Sequence, residues 1–176
     1  GNEGRGGKNR SREGQMLTKG IARSLRTCIV QLRCFTSSSA RLASVEAGMK
    51  GEATTTCTAG QNTADHMRSG DLEVFATPSM IALMEEASCH ALHKGLDSGE
   101  TSVGIQIAAE HTKSTLPGVE LKAVARVVSV EGSKVKLSIT VFQGPKFEAQ
   151  PQVGRGTHTR AIVNRDAFML KATSPQ

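Results

Sequence analysis

The sequence contains no tryptophan and no tyrosine, and aromatic residues make up only 3% of its 176 positions. Hydrophobic residues reach 38%, which supports the core of one domain together with an extension that is not packed into it. No run of about 18 consecutive apolar residues occurs, so we predict no transmembrane helix and no stable membrane insertion. These shortages exclude an integral membrane protein built from helices.

Cysteines are also few, and they lack a metal-binding pattern. Cys28, Cys34, Cys57 and Cys89 form no CxxC pair, although zinc sites and small disulfide frameworks depend on such spacing. We therefore predict no metal site, and thiols that are free or buried in a reducing compartment. A glycine-rich phosphate loop is missing too, because GQNTAD at residues 60–65 is not a Walker sequence.

The positive charge of the chain is concentrated at one end. The formal net charge is +6, yet residues 1–44 alone hold nine Lys and Arg against two Glu, a net charge of +7. The remaining residues hold 13 basic and 14 acidic side chains, a net charge of −1. A near-neutral domain without clustered basic residues predicts no nucleic-acid partner.

Residues 1–44 are predicted to be a basic extension of a domain at residues 45–176. Residues 1–15 are charged and glycine-rich without an apolar side chain, which indicates disorder. Residues 16–44 contain no acidic residue, are rich in Arg and Ser, and carry an amphipathic helical pattern. That pattern is typical of a transit peptide and predicts a mitochondrial location. The alternatives are a cytoplasmic protein whose amphipathic helix packs on the domain, or a helix on a membrane surface.

The rest of the domain is organised around the stretch 74–92, which carries the start and the apolar face of a long predicted helix. Thr77 before Pro78 indicates an N-cap followed by proline at the first helical position. Apolar side chains then recur at helical spacing at Met80, Met84, Ala87 and Ala91. On this helix Glu85 falls at the border of the apolar face, whereas Glu86 falls on the outer side. The helix should end near Lys94 and Gly95, with glycine as its C-cap.

One strand is predicted before this helix and four after it. The ranges are residues 52–58, 101–112, 119–130, 134–142 and 153–164, followed by a short turn or helix at 166–172. In the second strand the alternation places Val103, Ile105 and Ile107 on one face. A single helix against an antiparallel sheet of about five strands is an α+β layer architecture. Its edge strands and uncovered apolar surface predict a homodimer.

Four segments in this order resemble the hot-dog-fold acyl-CoA thioesterases, and most closely the fluoroacetyl-CoA thioesterase type. They are VFATPSMIALMEEA, SVGIQIAAEHTKSTLPG, VEGSKVKLSITVF and GRGTHTRAIV. The resemblance implies a hot-dog fold in which a long central helix is wrapped by the sheet. It also implies hydrolysis of an acyl-CoA thioester to the free acid and CoA. CoA is then part of the substrate, and no separate cofactor is expected.

The resemblance implies a set of site residues. In that family a Thr eight residues before a Glu, and a His 26 residues after it, form the catalytic constellation, and Thr77, Glu85 and His111 have these spacings. Gly104 matches the glycine whose backbone N–H faces the thioester carbonyl. His158 and Arg160 match the family's pattern on the last strand and are expected to bind substrate. A structural salt bridge is the alternative for Arg160.

Thioester hydrolysis explains why these residue types occur together. The reaction needs an activated water or a carboxylate nucleophile, a proton donor for the thiolate, and donors for the oxyanion. Glu85 can act as base or nucleophile, His111 can orient it or protonate the leaving group, and Thr77 can donate a hydrogen bond. Each residue could instead have an ordinary structural role. Thr77 could be a helix cap, His111 a strand residue on the surface, and Glu85 a carboxylate at the edge of a helix.

Two observations limit the substrate and leave a second function open. The fluoroacetyl-specific enzyme has phenylalanines that close over the acyl group, and the aligned positions here are Arg68 and Asp71. Selectivity for a fluorinated acyl group is therefore not expected. A hot-dog hydratase is excluded, because its Asp and His five residues apart correspond to Asp97 and Ser102. A non-catalytic acyl-CoA-binding or regulatory hot-dog protein remains the alternative.

Overall fold

The computed structural model describes residues 44–144 and 152–174. The elements in chain order are β1 (Lys50–Thr56), α1 (Thr77–His93), β2 (Glu100–His111), β3 (Glu120–Glu131), β4 (Lys134–Gln143), β5 (Gln152–Asn164) and α2 (Arg165–Thr173). The predicted elements are confirmed, with their ends displaced by up to two residues. The targeting segment lies outside the described residues and stays a prediction.

The five strands form one antiparallel sheet in the order β1-β3-β4-β5-β2. Helix α1 packs on the inner face of the sheet. This arrangement of one long helix inside a curled antiparallel sheet is the hot-dog fold expected from the sequence. Strands β1 and β2 are its edges, so within the described part of the chain β2 is paired on one side only, by β5. Among the described residues, no helix is long and apolar enough to cross a membrane.

The inner face of α1 forms the centre of the core. Its buried residues are Met80, Leu83, Met84, Ala87, Ser88, Ala91 and Leu92. Two glycines let strands approach this helix closely, since a Cβ at Gly51 would collide with the backbone of Ala91 and a Cβ at Gly154 with the Met80 sulfur. The helix is therefore fixed along β1 and β5, and this position decides which side chains its border residues meet.

Both predicted caps of α1 are wrong by one residue. The N-cap is Ala76, no side chain caps the first turn, and Thr77 is the first helical residue. The C-cap is Lys94 in a right-handed conformation. Gly95 is needed for space instead, because a Cβ there would lie 2.7 Å from Val45 Cγ2. Helix ends shift easily by a residue, but here the difference leaves the Thr77 hydroxyl available for another partner.

A β-bulge in β2 overturns the predicted face of that strand. Gly104 pairs with Arg160 and Ile107 pairs with His158, and the register shifts between Gly104 and Gln106. Residues paired across two antiparallel strands share a face, so Gly104 and Ile107 both point to the side of α1. Val103, Ile105 and Ile107 therefore do not share a face, because a bulge inserts a residue into the alternation.

Candidate active site

Thr77 and His111 meet at the N-terminus of α1. The Thr77 Oγ1 and His111 Nδ1 atoms are 2.9 Å apart, a hydrogen-bonding distance. The backbone N–H of Phe75 donates to the carbonyl of Thr115 (2.8 Å), which ties the start of α1 to the segment after β2. The Phe75 ring also lies edge-on to the imidazole of His111, with ring centroids 6.5 Å apart. The pair is thus held by backbone and ring contacts of its neighbours.

The imidazole of His111 is poised to stay neutral. Its Nε2 atom is buried and has no hydrogen-bond partner. Burial lowers the pKa of His111 below its ordinary value, although a backbone hydrogen bond at Lys113 acts in the other direction. The pair opens onto a cleft whose lining includes Ser69, Thr112, Lys113 and Ser114. A neutral imidazole here can accept one proton and donate another.

Glu85 lies two turns further along α1 and meets a different histidine. Its Oε1 atom is 3.4 Å from His158 Nε2. The Glu85 side chain is 46% exposed, whereas the His158 side chain has no exposed surface. Glu86 is exposed on the outer side of the helix, so the predicted difference between the two glutamates is confirmed.

Gly104 lies directly beneath this second pair. A Cβ built on Gly104 would be 2.9 Å from His158 Nε2 and 3.1 Å from Glu85 Oε1. Any side chain there would fill the space between the carboxylate and the imidazole. Because the bulge begins at Gly104, the regular ladder of backbone hydrogen bonds is interrupted beside the carboxylate.

Arg160 is built into the sheet beside the same pair. It is 5% exposed. Its Nε and Nη2 atoms donate to the hydroxyl and the carbonyl oxygen of Ser102, at 3.0 and 2.8 Å. Ser102 could not be foreseen from the sequence, because its contact depends on how β2 pairs with β5. The predicted substrate contact of Arg160 stays a prediction, and its observed partner is this strand.

The described part of one protomer thus holds two pairs of site residues. Thr77 and Glu85 are eight residues apart on one helix, which corresponds to about 12 Å along its axis. Thr77 bonds to His111 and Glu85 lies against His158. The predicted direct support of Glu85 by His111 is not among the contacts within one chain.

The described residues contain no group of three or more His, Cys, Asp or Glu that could hold a metal ion. Cys57 and Cys89 are free thiols, and Cys28 and Cys34 lie outside the described residues. The arrangement therefore offers carboxylate, imidazole, hydroxyl and backbone groups for chemistry.

Comparison with known proteins identifies the family. A family model described as the fluoroacetyl-CoA-specific thioesterase, FlK, matches residues 58–166, more than half of the chain. The fluoroacetyl-CoA thioesterase of Streptantibioticus cattleyicolor is 36% identical over 99 residues, which are 56% of this chain and 68% of that protein.

Solved structures agree with this match. A structure of the fluoroacetyl-CoA thioesterase FlK superposes with a TM-score of 0.62 at 28% identity, covering 74% of this chain and 98% of that one. A thioesterase-superfamily protein of Thermus thermophilus gives a TM-score of 0.64 at 24% identity, covering 73% and 90%, and this likeness supports the fold alone. The chain therefore belongs to the fluoroacetyl-CoA-specific thioesterase family and is a hot-dog-fold acyl-CoA thioesterase.

Proposed function

We propose that this protein hydrolyses a short or medium acyl-CoA to the free acid and CoA, using Thr77, Glu85 and His111. The observation that carries the proposal is the half-exposed carboxylate of Glu85 held above Gly104, at the bulge of β2. Support comes from the relatives, because one fluoroacetyl-CoA-specific thioesterase FlK variant was solved in complex with fluoroacetate and CoA.

The chemistry assigned to these groups conserves atoms and charge. In the first route Glu85 removes a proton from water, and the resulting hydroxide adds to the thioester carbon. In the second route the Glu85 carboxylate itself adds to that carbon, and water then hydrolyses the anhydride that forms. The backbone N–H of Gly104 stabilises the oxyanion. The carbon–sulfur bond breaks. In the first route the thiolate receives the proton that Glu85 took from water, directly or relayed through His111; in the second route the thiolate leaves when the anhydride forms, and a proton of the hydrolysing water reaches it through His111. Thr77 donates to His111 Nδ1, which leaves the proton of a neutral imidazole on the buried Nε2.

The complete site is proposed to require a homodimer. Strand β2 carries Gly104 near its start and His111 at its end, and its outer edge is unpaired in one protomer. Antiparallel pairing of two β2 strands sets the start of one beside the end of the other. The Glu85 pair of one protomer then faces the Thr77–His111 pair of its partner, which brings together groups about 12 Å apart in a single chain.

The acyl pocket is proposed to accept groups other than fluoroacetyl. Arg68 and Asp71, which align with the phenylalanines of the fluoroacetyl-specific enzyme, are both exposed. No aromatic residue occurs between Phe35 and Phe75. Without an aromatic lid, the acyl group is not enclosed by an apolar wall before the helix, so the enzyme should not select for fluorine.

The test is a panel of acyl-CoAs from acetyl to palmitoyl, with fluoroacetyl-CoA included, in which the free thiol is measured. We expect Glu85→Gln to lower kcat by about 10²–10⁴-fold, the usual size for losing one acid–base group. Glu86→Gln is the matched control, since it changes the same group on the exposed side of the helix. Equal rates in both variants would contradict the assignment. Binding of acyl-CoA without turnover by the unmodified protein would favour the non-catalytic alternative.

We also propose that residues 1–44 direct the protein to mitochondria, on the basis of their acid-free, Arg-rich sequence. A fluorescent protein fused after residues 1–44 should enter mitochondria. The same fusion with Arg23, Arg26 and Arg33 changed to Glu is the control. A cytoplasmic signal from the unmodified fusion would reject the proposal.

A further inference from the structure

His158 is a buried histidine, and the proposed hydrolysis assigns no role to it. Its side chain has no exposed surface, and neither ring nitrogen has a hydrogen-bond partner. It lies on β5 between Leu137 of β4 and Ile107 of β2. A buried polar group without a partner costs free energy. A histidine at this position therefore calls for a reason beyond packing.

The geometry supplies a partner that lies just beyond hydrogen-bonding contact. Glu85 Oε1 is 3.4 Å from His158 Nε2. Gly104 keeps the space between these two atoms open, since a Cβ there would press on both of them. A small rotation of the half-exposed carboxylate would bring it within reach of the imidazole N–H, because distances of 2.7–3.2 Å are typical of an N–H···O bond.

Two charged groups surround the imidazole, Glu85 from α1 and Arg160 from β5 itself, while the paired residues of β2 and β4 are apolar. Burial first, and then the positive charge of Arg160, lower the pKa of His158, although Glu85 raises it. The imidazole is therefore neutral near pH 7. A neutral ring interacts with a carboxylate as a hydrogen-bond donor and not as an opposite charge.

We infer that His158 is the positioning residue of Glu85: its Nε2–H donates to Oε1 and holds the carboxylate above Gly104. Complete burial favours this role over direct contact with substrate. The inference deepens the proposed function and rests on it, because a positioned and ionised Glu85 is what the hydrolysis requires.

The kinetic test compares His158→Leu with His158→Gln. Leucine removes the donor while keeping an apolar side chain of similar size, and glutamine restores an N–H donor. We expect His158→Leu to lower kcat about tenfold, as for the loss of one hydrogen bond to a charged group, with KM nearly unchanged. His158→Gln should restore kcat.

A second measurement works even if these variants fail to fold or if no substrate is turned over. The NMR titration of His158 is followed in the unmodified protein, in Glu85→Gln and in Glu86→Gln. We expect Glu85→Gln to lower the pKa of His158, since Glu85 raises it, and Glu86→Gln to leave it unchanged. An unmoved His158 titration in Glu85→Gln, or an unchanged kcat in folded His158→Leu, overturns the inference. Absence of hydrolysis by the unmodified protein instead overturns only the proposed function.

Discussion

At the scale of single residues, the site depends on a glycine that leaves room for two polar side chains. The backbone conformation at position 104 is one that other residues can also adopt, since the φ of Gly104 is not in the left-handed region. The constraint is the space shared with His158 and Glu85. Its role is therefore testable separately from the stability of the fold.

We expect Gly104→Ala to lower kcat by about tenfold while the protein stays folded. The new methyl group would lie 2.9 Å from His158 Nε2 and 3.1 Å from Glu85 Oε1, which is too close to both atoms, so the two side chains are pushed apart. A displaced catalytic group costs rate without costing the fold. Gly70→Ala is the control, because its methyl makes only an ordinary 3.4 Å contact with Ala64. Equal kcat values in the two variants, measured with thermal unfolding, would contradict this.

The buried His158 and the half-buried His111 also predict how stability changes with pH. Burial lowers the pKa of both His111 and His158 in the folded protein, so the unfolded chain binds more protons as pH falls through about 6.5. The free energy of unfolding should therefore be highest above that pH and should fall as the pH is lowered from about 7 to about 5. Urea unfolding across this range measures the slope. His158→Leu should make it shallower, and an unchanged slope would show that His158 does not contribute.

At the scale of elements, the edge strand β2 is where the proposed dimer would form. Its bulge carries Ile105 with a 52% exposed side chain, and its free edge offers unpaired backbone groups to a second strand. We expect Ile105→Asp to convert a dimer into monomers, as measured by light scattering. Val128→Asp is the matched control, because Val128 is also 52% exposed but lies on the interior strand β3.

Mixing two inactive variants tests whether each site is built from both protomers. In a heterodimer of Glu85→Gln and His111→Ala, one of the two sites combines both intact residues. Random exchange of protomers should therefore restore about a quarter of the full activity, since half of the dimers are mixed and each has one intact site. If Glu85 and His111 acted within one chain, every site would lack one of them and the mixture would stay inactive.

At the scale of the whole molecule, Val45 belongs to the packed core. This side chain is 5% exposed and lies against Gly95, just after the end of α1. We expect removal of residues 1–43 to leave the hydrolysis rate and thermal stability unchanged. Removal of residues 1–49 should destabilise the fold by about 1.5–3 kcal/mol, the value for losing one buried valine. Loss of folding in the shorter deletion would show that the basic extension belongs to the domain.

The sequence alone determined the features that depend on neighbours along the chain. The period of α1 placed Glu85 at the border of the core and Glu86 in solvent, because residues on a helix repeat every 3.6 positions whatever surrounds them. Alternation and turn residues likewise located all five strands to within two residues. The order of four segments was sufficient to predict the fold and the family.

Only the tertiary structure decided which of these side chains meet. A bulge at Gly104–Gln106 changes which residues of β2 share a face. No local sequence pattern predicts this bulge, because it is defined by the pairing of β2 with β5. The position of α1 along β5, where Met80 packs against Gly154, places Glu85 against His158 and leaves His111 to Thr77. Contacts between residues 34 and 73 positions apart depend on strand register and helix packing, and these are set by the long-range burial of the core rather than by local sequence.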